Sequence, residues 1–392
     1  MVKMNSEIER IELTPLHVPF KPYVINAMSQ SEGGLGMAIG SEEAWLGGDF
    51  VICKLYSKSA KVGLGESFVW LPESGVSAFQ IIDSIKNGLS NYLIGENPFN
   101  IGKINHRMDI NIARSDVAKG LLDMACYDLM GQILDIPACF LMGGKNSEEI
   151  PLAALIPLGD PMLMKGLVRS YFKKGFRTFR LKLGKGLEED REIISTIRKT
   201  FGEKIRIRVD FNQSYAPSKA VQVLKMLEPF QIDYAEQPVA ADDYLGLAYV
   251  QKSTSIPLMV HEGFFSLKDF VTLVELGAVR VLGLNSERPG GVSKAIIALN
   301  YAKMKGLEVV LHNQPLGIAS AMHIHFHSAF YNDIDHPTEL FGQEMLQDDL
   351  ITNPIKYHDG KAEVPKGAGW GVKLDEKALQ RFATDDTTII ES

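Results

Sequence analysis

The sequence predicts an α/β protein: a parallel barrel of the (β/α)8 type in the second half of the chain, behind an N-terminal α+β domain. Three observations carry this. After residue 150, short apolar strands alternate with helical patterns, the signature of parallel βα units. Polar residues recur on strand after strand at nearly one interval, closing the later ones and starting the eighth: from Lys182 through Asp210, Glu236, Glu262, Asn285 and His312 to Glu339 the steps are 28, 26, 26, 23, 27 and 27 residues. The first 145 residues have a different texture, strand-like runs followed by helical spacing.

In chain order, residues 8–20 and 51–57 read as strands of a small antiparallel sheet. The Gly-rich stretch Ala27 to Gly48 between them is long for a connection and reads as a lid or a disordered segment. A second turn, Gly63 to Gly75, carries Glu66, Ser67 and Trp70 and reads as another lip over a site. Helical spacing follows from about residue 77. Its clearest segment opens at Ser115 as N-cap and stops before Asp135-Ile136-Pro137, because the residue before a proline resists the helical region. Strands are predicted at 151–158, 178–184, 205–212, 232–238, 256–262, 279–285, 307–313 and 339–342. Three divisions follow: 1–145, a barrel over 146–360, and a segment 361–392 that leaves the barrel, with a polar tail that frays.

Composition bounds the partners. Of 392 residues 45% are hydrophobic and 23% charged, as in globular proteins, and the net charge is −7 with no basic block. Nucleic acid and anionic membranes are therefore not expected partners. Cys53, Cys126 and Cys139 have no metal or redox spacing and read as reduced core thiols. No apolar run reaches membrane-spanning length and the start lacks a signal core, so a cytoplasmic location is expected.

The strand Phe179-Arg180-Leu181-Lys182-Leu183 alternates apolar and cationic residues. In a helix-covered sheet both faces are dry, so two cations on the inner face need partners. An ion pair would satisfy them; so would a catalytic site. Polar residues recurring at the C-terminal ends of barrel strands are where active sites assemble.

These motifs together resemble the enolase superfamily, in its mandelate racemase and muconate lactonizing branch, over nearly the whole chain. Arg180-Leu181-Lys182 resembles the family's second-strand Lys-x-Lys. Asp210-Phe211-Asn212, Glu236-Gln237-Pro238 and Glu262 resemble its three metal-bearing strand ends, and His312 and Glu339 its seventh- and eighth-strand base and acid. Ala125 to Gly131 through Leu141 to Gly144 resembles the helix leading into the barrel. Gly367-Ala368-Gly369-Trp370-Gly371-Val372 resembles the C-terminal return to the capping domain. The resemblance implies a (β/α)7β TIM-like barrel capped by an N-terminal α+β domain, often in a symmetric homo-oligomer. It implies Mg2+-dependent removal of the proton next to a carboxylate, giving an enediolate.

Within that resemblance Lys182 is the expected base, with Arg180 beside it favouring the neutral amine by like-charge repulsion and offering a fork to a carboxylate. Asp210 and Glu236 are the expected metal ligands. The third is Glu262 or His261, and oxygen-preferring Mg2+ favours Glu262. Asn212, Glu339 and Trp70 are expected at the substrate. Asn285 replaces the sixth-strand Asp or Lys of the family; it would orient His312 without supplying charge. One strong base facing a weak one suits a one-directional reaction, so the expectation is a lyase dehydrating a hydroxy acid such as a sugar acid. Racemisation, epimerisation or cycloisomerisation is the alternative within the family, and a non-catalytic barrel binding a small carboxylic acid the alternative outside it. The apolar residues of the capping loops, Phe20, Tyr23, Met28, Met37, Trp45 and Trp70, fit a fully hydroxylated substrate poorly. His323, His325 and His327 are read as spread around a helix rather than as a metal site.

Overall fold

The computed structural model describes residues 6–29, 46–285, 288–313 and 315–391. Most of the Gly-rich stretch, with Met37 and Trp45, lies outside them.

The N-terminal unit is built on an antiparallel sheet of β1 (Ile8–Pro19), β2 (Gly47–Ser57) and β3 (Val62–Val69). Helix Asp116–Leu134 lies against β3, and apolar residues of sheet and helices, among them Leu13, Val51, Ile85, Leu121 and Cys126, form a core of their own. The close approach explains two glycines: a Cβ at Gly63 or Gly65 would run into the Ala125 or Leu121 carbonyl oxygen of that helix. Gly63 to Gly75 is thus not a turn, as its glycines suggested, but a strand followed by the short helix Leu71–Ser74. Ser115 does precede its helix, but with φ 57° and no hydrogen bond from its side chain, so it does not cap. Cys53, Cys126 and Cys139 are all free and buried.

The second unit is the expected barrel. Its strands are β4 (Glu149–Ile156), β5 (Thr178–Lys182), β6 (Arg206–Asp210), β7 (Ile232–Glu236), β8 (Leu258–Val260), β9 (Val281–Leu284), β10 (Glu308–Asn313) and β11 (Thr338–Leu340). Each pairs in parallel with the next, and β11 closes on β4 through Thr338↔Leu152 and Glu339↔Ala153. The residues pointing outward, such as Phe179, Leu181, Ile207 and Val209, pack under the helices. Inside, Tyr234, Met259, Val281 and Val310 fill the lower barrel and leave the upper end to polar residues. The register aligns these in rows: Lys182 beside Asp210, Asp210 beside Glu236, His312 beside Glu339.

After the barrel, β12 (Tyr357–His358) and β13 (Lys361–Glu363) form a hairpin, and β13 adds antiparallel to β4. The chain therefore does not leave the barrel at Lys361. Trp370 then docks on the N-terminal unit: its amide donates to Asp128 Oδ1 at 2.6 Å and its indole to the Leu64 carbonyl at 3.2 Å. The expected fraying tail is instead a strand, β14 (Thr388–Glu391), paired with Arg10 to Leu13 of β1. The open backbone edge of β1 supplies a partner that side-chain polarity does not reveal.

Candidate active site

The C-terminal ends of the barrel strands bring the predicted residues together. Arg180, Lys182, Asn212, His261, Asn285, His312 and Glu339 line one pocket beneath Trp70 of the N-terminal unit. Arg180 is buried among carboxylates. Its Nε and Nη2 donate to the two oxygens of Glu236 at 2.7 Å each, Nη2 also reaches Asp210 Oδ2 at 2.5 Å, and Nη1 reaches Glu339 Oε1 at 3.0 Å. Burial disfavours its charge, yet Asp210, Glu236 and Glu339 hold the guanidinium far above its ordinary range. Rather than standing free to tune Lys182, Arg180 is neutralised by carboxylates.

Lys182 Nζ donates to Asp210 Oδ2 at 2.5 Å and to Asn212 Oδ1. Asn212 in turn donates through Nδ2 to Glu262 Oε1 at 2.8 Å. Burial alone would raise the Asp210 carboxyl, but the charges of Arg180 and Lys182 bring it below its ordinary value. Burial presses Glu236 toward its neutral form; both its oxygens accept from Arg180, so we assign it as the carboxylate. Glu262 is pushed up to about 7 by burial and by the neighbouring charges of Asp210 and Glu73. His312 is held well below the ordinary imidazole range by burial and by Arg180 and Arg288, so it is a neutral base. Its Nε2 is buried with no hydrogen-bond partner among the described residues.

Asn285 lies against His261 and Arg288. Its Nδ2 lies 3.2 Å from His261 Nε2, and its Oδ1 accepts from the Arg288 amide at 2.8 Å. The Arg288 guanidinium donates to His261 Nε2 at 2.5 Å and to the His261 carbonyl at 3.0 Å, stacks over Phe265, and pairs with Glu73. Arg288 Nη2 also lies 3.2 Å from His261 Nδ1, which faces Glu73 at 3.3 Å and Glu236 at 3.6 Å. Arg288 and Glu73 were not singled out from the sequence. One follows a strand in an irregular turn and the other lies on a four-residue helix, so neither shows a strand-end signature.

The donor set fits a divalent cation. Asp210, Glu236, Glu262, Glu339 and Glu73 bring five carboxyl groups to the site, against the cations Arg180, Lys182 and Arg288 and the buried Arg208 below them. Glu262 Oε2 is buried and has no hydrogen-bond partner among the described residues. Glu236, His261 and His312 also place one ligand atom each within 4.8 Å of the others; Asp210 and Glu262 lie outside that group. Asp210 is occupied by Arg180, Lys182 and the Asn212 amide. Glu262, with its unpartnered oxygen, and His261, inside that group, are both placed to give a third donor.

Residues 24–143 match the family model described as mandelate racemase / muconate lactonizing enzyme, N-terminal domain, and residues 164–378 the one described as enolase C-terminal domain-like. The N-succinyl-L-Arg/Lys racemase of Bacillus cereus is 31% identical over 333 residues, 85% of this chain and 89% of the relative. The chloromuconate cycloisomerase of Cupriavidus pinatubonensis is 27% identical over 349 residues, 85% and 91% of the two chains. A crystal structure of the dipeptide epimerase from Enterococcus faecalis, complexed with Mg and the dipeptide L-Leu-L-Tyr, superposes with a TM-score of 0.83 at 26% identity, covering 93% of this chain and 99% of that one. All three are isomerases. The expectation of sugar-acid dehydration finds no support among them; the racemase, epimerase or cycloisomerase alternative does. Among the described residues no helix is long and apolar enough to cross a membrane.

Proposed function

Because this chain belongs to the mandelate racemase and muconate lactonizing branch of the enolase superfamily, we propose that it is an isomerase that inverts the carbon next to a carboxylate, a racemase or epimerase of an N-acylated amino acid or dipeptide. One observation carries the reading: two bases on different sides of the barrel mouth face the same pocket. Lys182 closes β5, the second barrel strand, and His312 lies on β10, the seventh, with β4 and β11 between them on the short way round. A planar carbon held between them is approached from both faces. With His312 neutral and Lys182 an ammonium, His312 Nε2 takes the proton from one face and Lys182 Nζ supplies one to the other; for the opposite enantiomer the amine starts neutral and the imidazole protonated, and the roles exchange.

Asp210, Glu236 and Glu262 would hold Mg2+, which when bound polarises the substrate carboxylate. The other groups position and insulate. Asn212 fixes Lys182 and Glu262 together, and Glu339 anchors Arg180 from the eighth strand. Trp70, Phe68 and Phe265 form an apolar wall that keeps water from the reacting carbon. That wall suits an acyl or hydrophobic side chain better than a sugar chain.

The test is to incubate the protein with a panel of N-acyl amino acids and dipeptides in D2O with Mg2+. Deuterium at the α-carbon together with loss of optical activity is expected, and EDTA should stop both. Deuterium uptake accompanied by an α-keto acid would mean dehydration instead. A panel that gains no deuterium while ligands raise Tm would mean a binding protein.

A further inference from the structure

We propose that Glu236, His261 and His312 form a second metal site, selective for a transition ion such as Zn2+ or Co2+, which overlaps the Mg2+ site at Glu236 and takes His312 out of use when filled. The site stands on its geometry; the loss of activity rests on the reading of His312 as a base. Glu236 closes β7, His261 follows β8 and His312 lies on β10. Between the last two runs β9, where Gly283 presents no side chain: a Cβ there would come 3.4 Å from His312 Nε2. Through that gap the two rings meet, their centroids 3.9 Å apart. His261 Nδ1 lies 3.6 Å and His312 Nε2 3.7 Å from the same oxygen, Glu236 Oε1, and one ligand atom from each residue falls within 4.8 Å of the others. In a tetrahedron with bonds of about 2.1 Å the donors stand about 3.4 Å apart, so the two contacts to Glu236 are already close to what an ion needs.

The donor chemistry separates this set from the oxygen set. Mg2+ prefers carboxylate oxygen and water, whereas two imidazoles and a carboxylate favour Zn2+, Co2+ and their neighbours. His312 Nε2 is buried and has no hydrogen-bond partner among the described residues, so ligation there breaks no bond. Glu236 Oε1 accepts from Arg180 Nη2 at 2.7 Å and has a second lone pair to give. His261 is contested. Arg288 Nη2 lies 2.5 Å from its Nε2 and 3.2 Å from its Nδ1, and Asn285 Nδ2 lies 3.2 Å from Nε2. Ligation through Nδ1 puts the ring proton on Nε2 and turns these donors away. Arg288 still keeps its pair with Glu73, its bond to the His261 carbonyl and its place over Phe265. Arg288 thus competes with the ion for the ring, and Mg2+ competes with it for Glu236.

The probes are Co2+, whose visible absorption reports its ligands, and colourless Zn2+, each added to the chelated full chain. One equivalent of Co2+ should give the intense bands of a low-coordinate site with nitrogen donors; Zn2+ should bleach them and excess Mg2+ should compete. His261→Asn and His312→Asn should each weaken Co2+ binding by more than the roughly tenfold that loss of an outer partner costs. His312→Asn should keep the rise in Tm with Mg2+, which shows it folded. Arg288→Gln should tighten Co2+ severalfold, a gain that ions held by surface histidines would not show. Zn2+ should suppress α-deuterium exchange and a chelator should restore it. Pale bands of oxygen ligands alone, Co2+ held as tightly in His312→Asn as in the native protein, or Co2+ loosened by Arg288→Gln overturns the site. Intense bands with undiminished exchange in the Zn2+ protein overturn its consequence and the assignment of His312 as a base. No exchange of any acid, with or without Zn2+, sinks the isomerase reading and leaves the site to be judged by the spectra.

Discussion

Arg180 of β5 and Glu236 of β7 face each other across β6 at the barrel mouth in a two-point contact, both bonds 2.7 Å long. Such a fork between fully buried groups holds only while both partners are present. Arg180→Ala should strand Asp210, Glu236 and Glu339 together. A loss of about 3–5 kcal/mol in unfolding free energy is expected, read from urea titrations. Arg180→Lys, which restores the residue common in the family, should lose less than half as much. Equal losses for the two would show that the fork geometry, rather than the charge, is what matters.

Glu66 joins the two units. From β3 it accepts the amides of Leu316 at 2.7 Å, Ile318 at 3.1 Å and Ala319 at 3.0 Å, at the start of the helix Gly317–Ala329 that follows His312. A carboxylate at a helix N-terminus satisfies free amides and meets the positive end of the dipole. Glu66→Ala should lower stability by about 3 kcal/mol. It should also reduce turnover, because the segment carrying His312 loses its anchor. Full turnover in this variant would separate the clamp from the site.

The ring nitrogens of His323, His325 and His327 go to the Ala319 carbonyl, the Trp370 carbonyl and Thr338 Oγ1. Burial lowers the first two to about 4 and the third to about 3. The unfolded chain, titrating near 6.5, binds more protons than the folded one below that pH. Their contribution is therefore whole above pH ~6.5 and declines as pH falls toward 4 and then 3, by about 1.4 kcal/mol per pH unit for each ring. His325→Asn should make unfolding free energy less steep between pH 6.5 and 4. An unchanged slope would mean these rings stay charged in the fold.

Much of this site is legible in the sequence because barrel strands have a two-residue period and a fixed polarity. Asp210, Glu236 and His312 announce themselves by closing strand-like runs at nearly one repeat length, and Glu339 falls one more repeat on. Nothing periodic marks Glu73, Arg288 or Glu66, whose roles arise from contacts across the two units. Asn285 shows the limit most clearly. Its identity was readable, but its contacts with His261 and Arg288 were not, because they join two strand ends through an irregular turn. β14 was missed for a similar reason, since an open edge is a property of its partner strand.

Surplus carboxylates predict a response to metal. Adding Mg2+ to chelated protein should raise Tm, since an ion bound only by the folded state stabilises it. Glu262→Gln should weaken that response at least tenfold in the Mg2+ concentration required. His261→Asn should leave it within a few fold. The reverse ranking would make the imidazole the third ligand.

The most direct measurement follows α-hydrogen exchange of each enantiomer separately, in the native protein and in Lys182→Ala and His312→Asn. With two bases on two faces, each variant should lose inversion altogether. Each should still exchange the one enantiomer whose hydrogen points at the surviving base, and the two variants should keep opposite enantiomers. Exchange of both enantiomers in either variant, or the same enantiomer retained by both, would contradict the account.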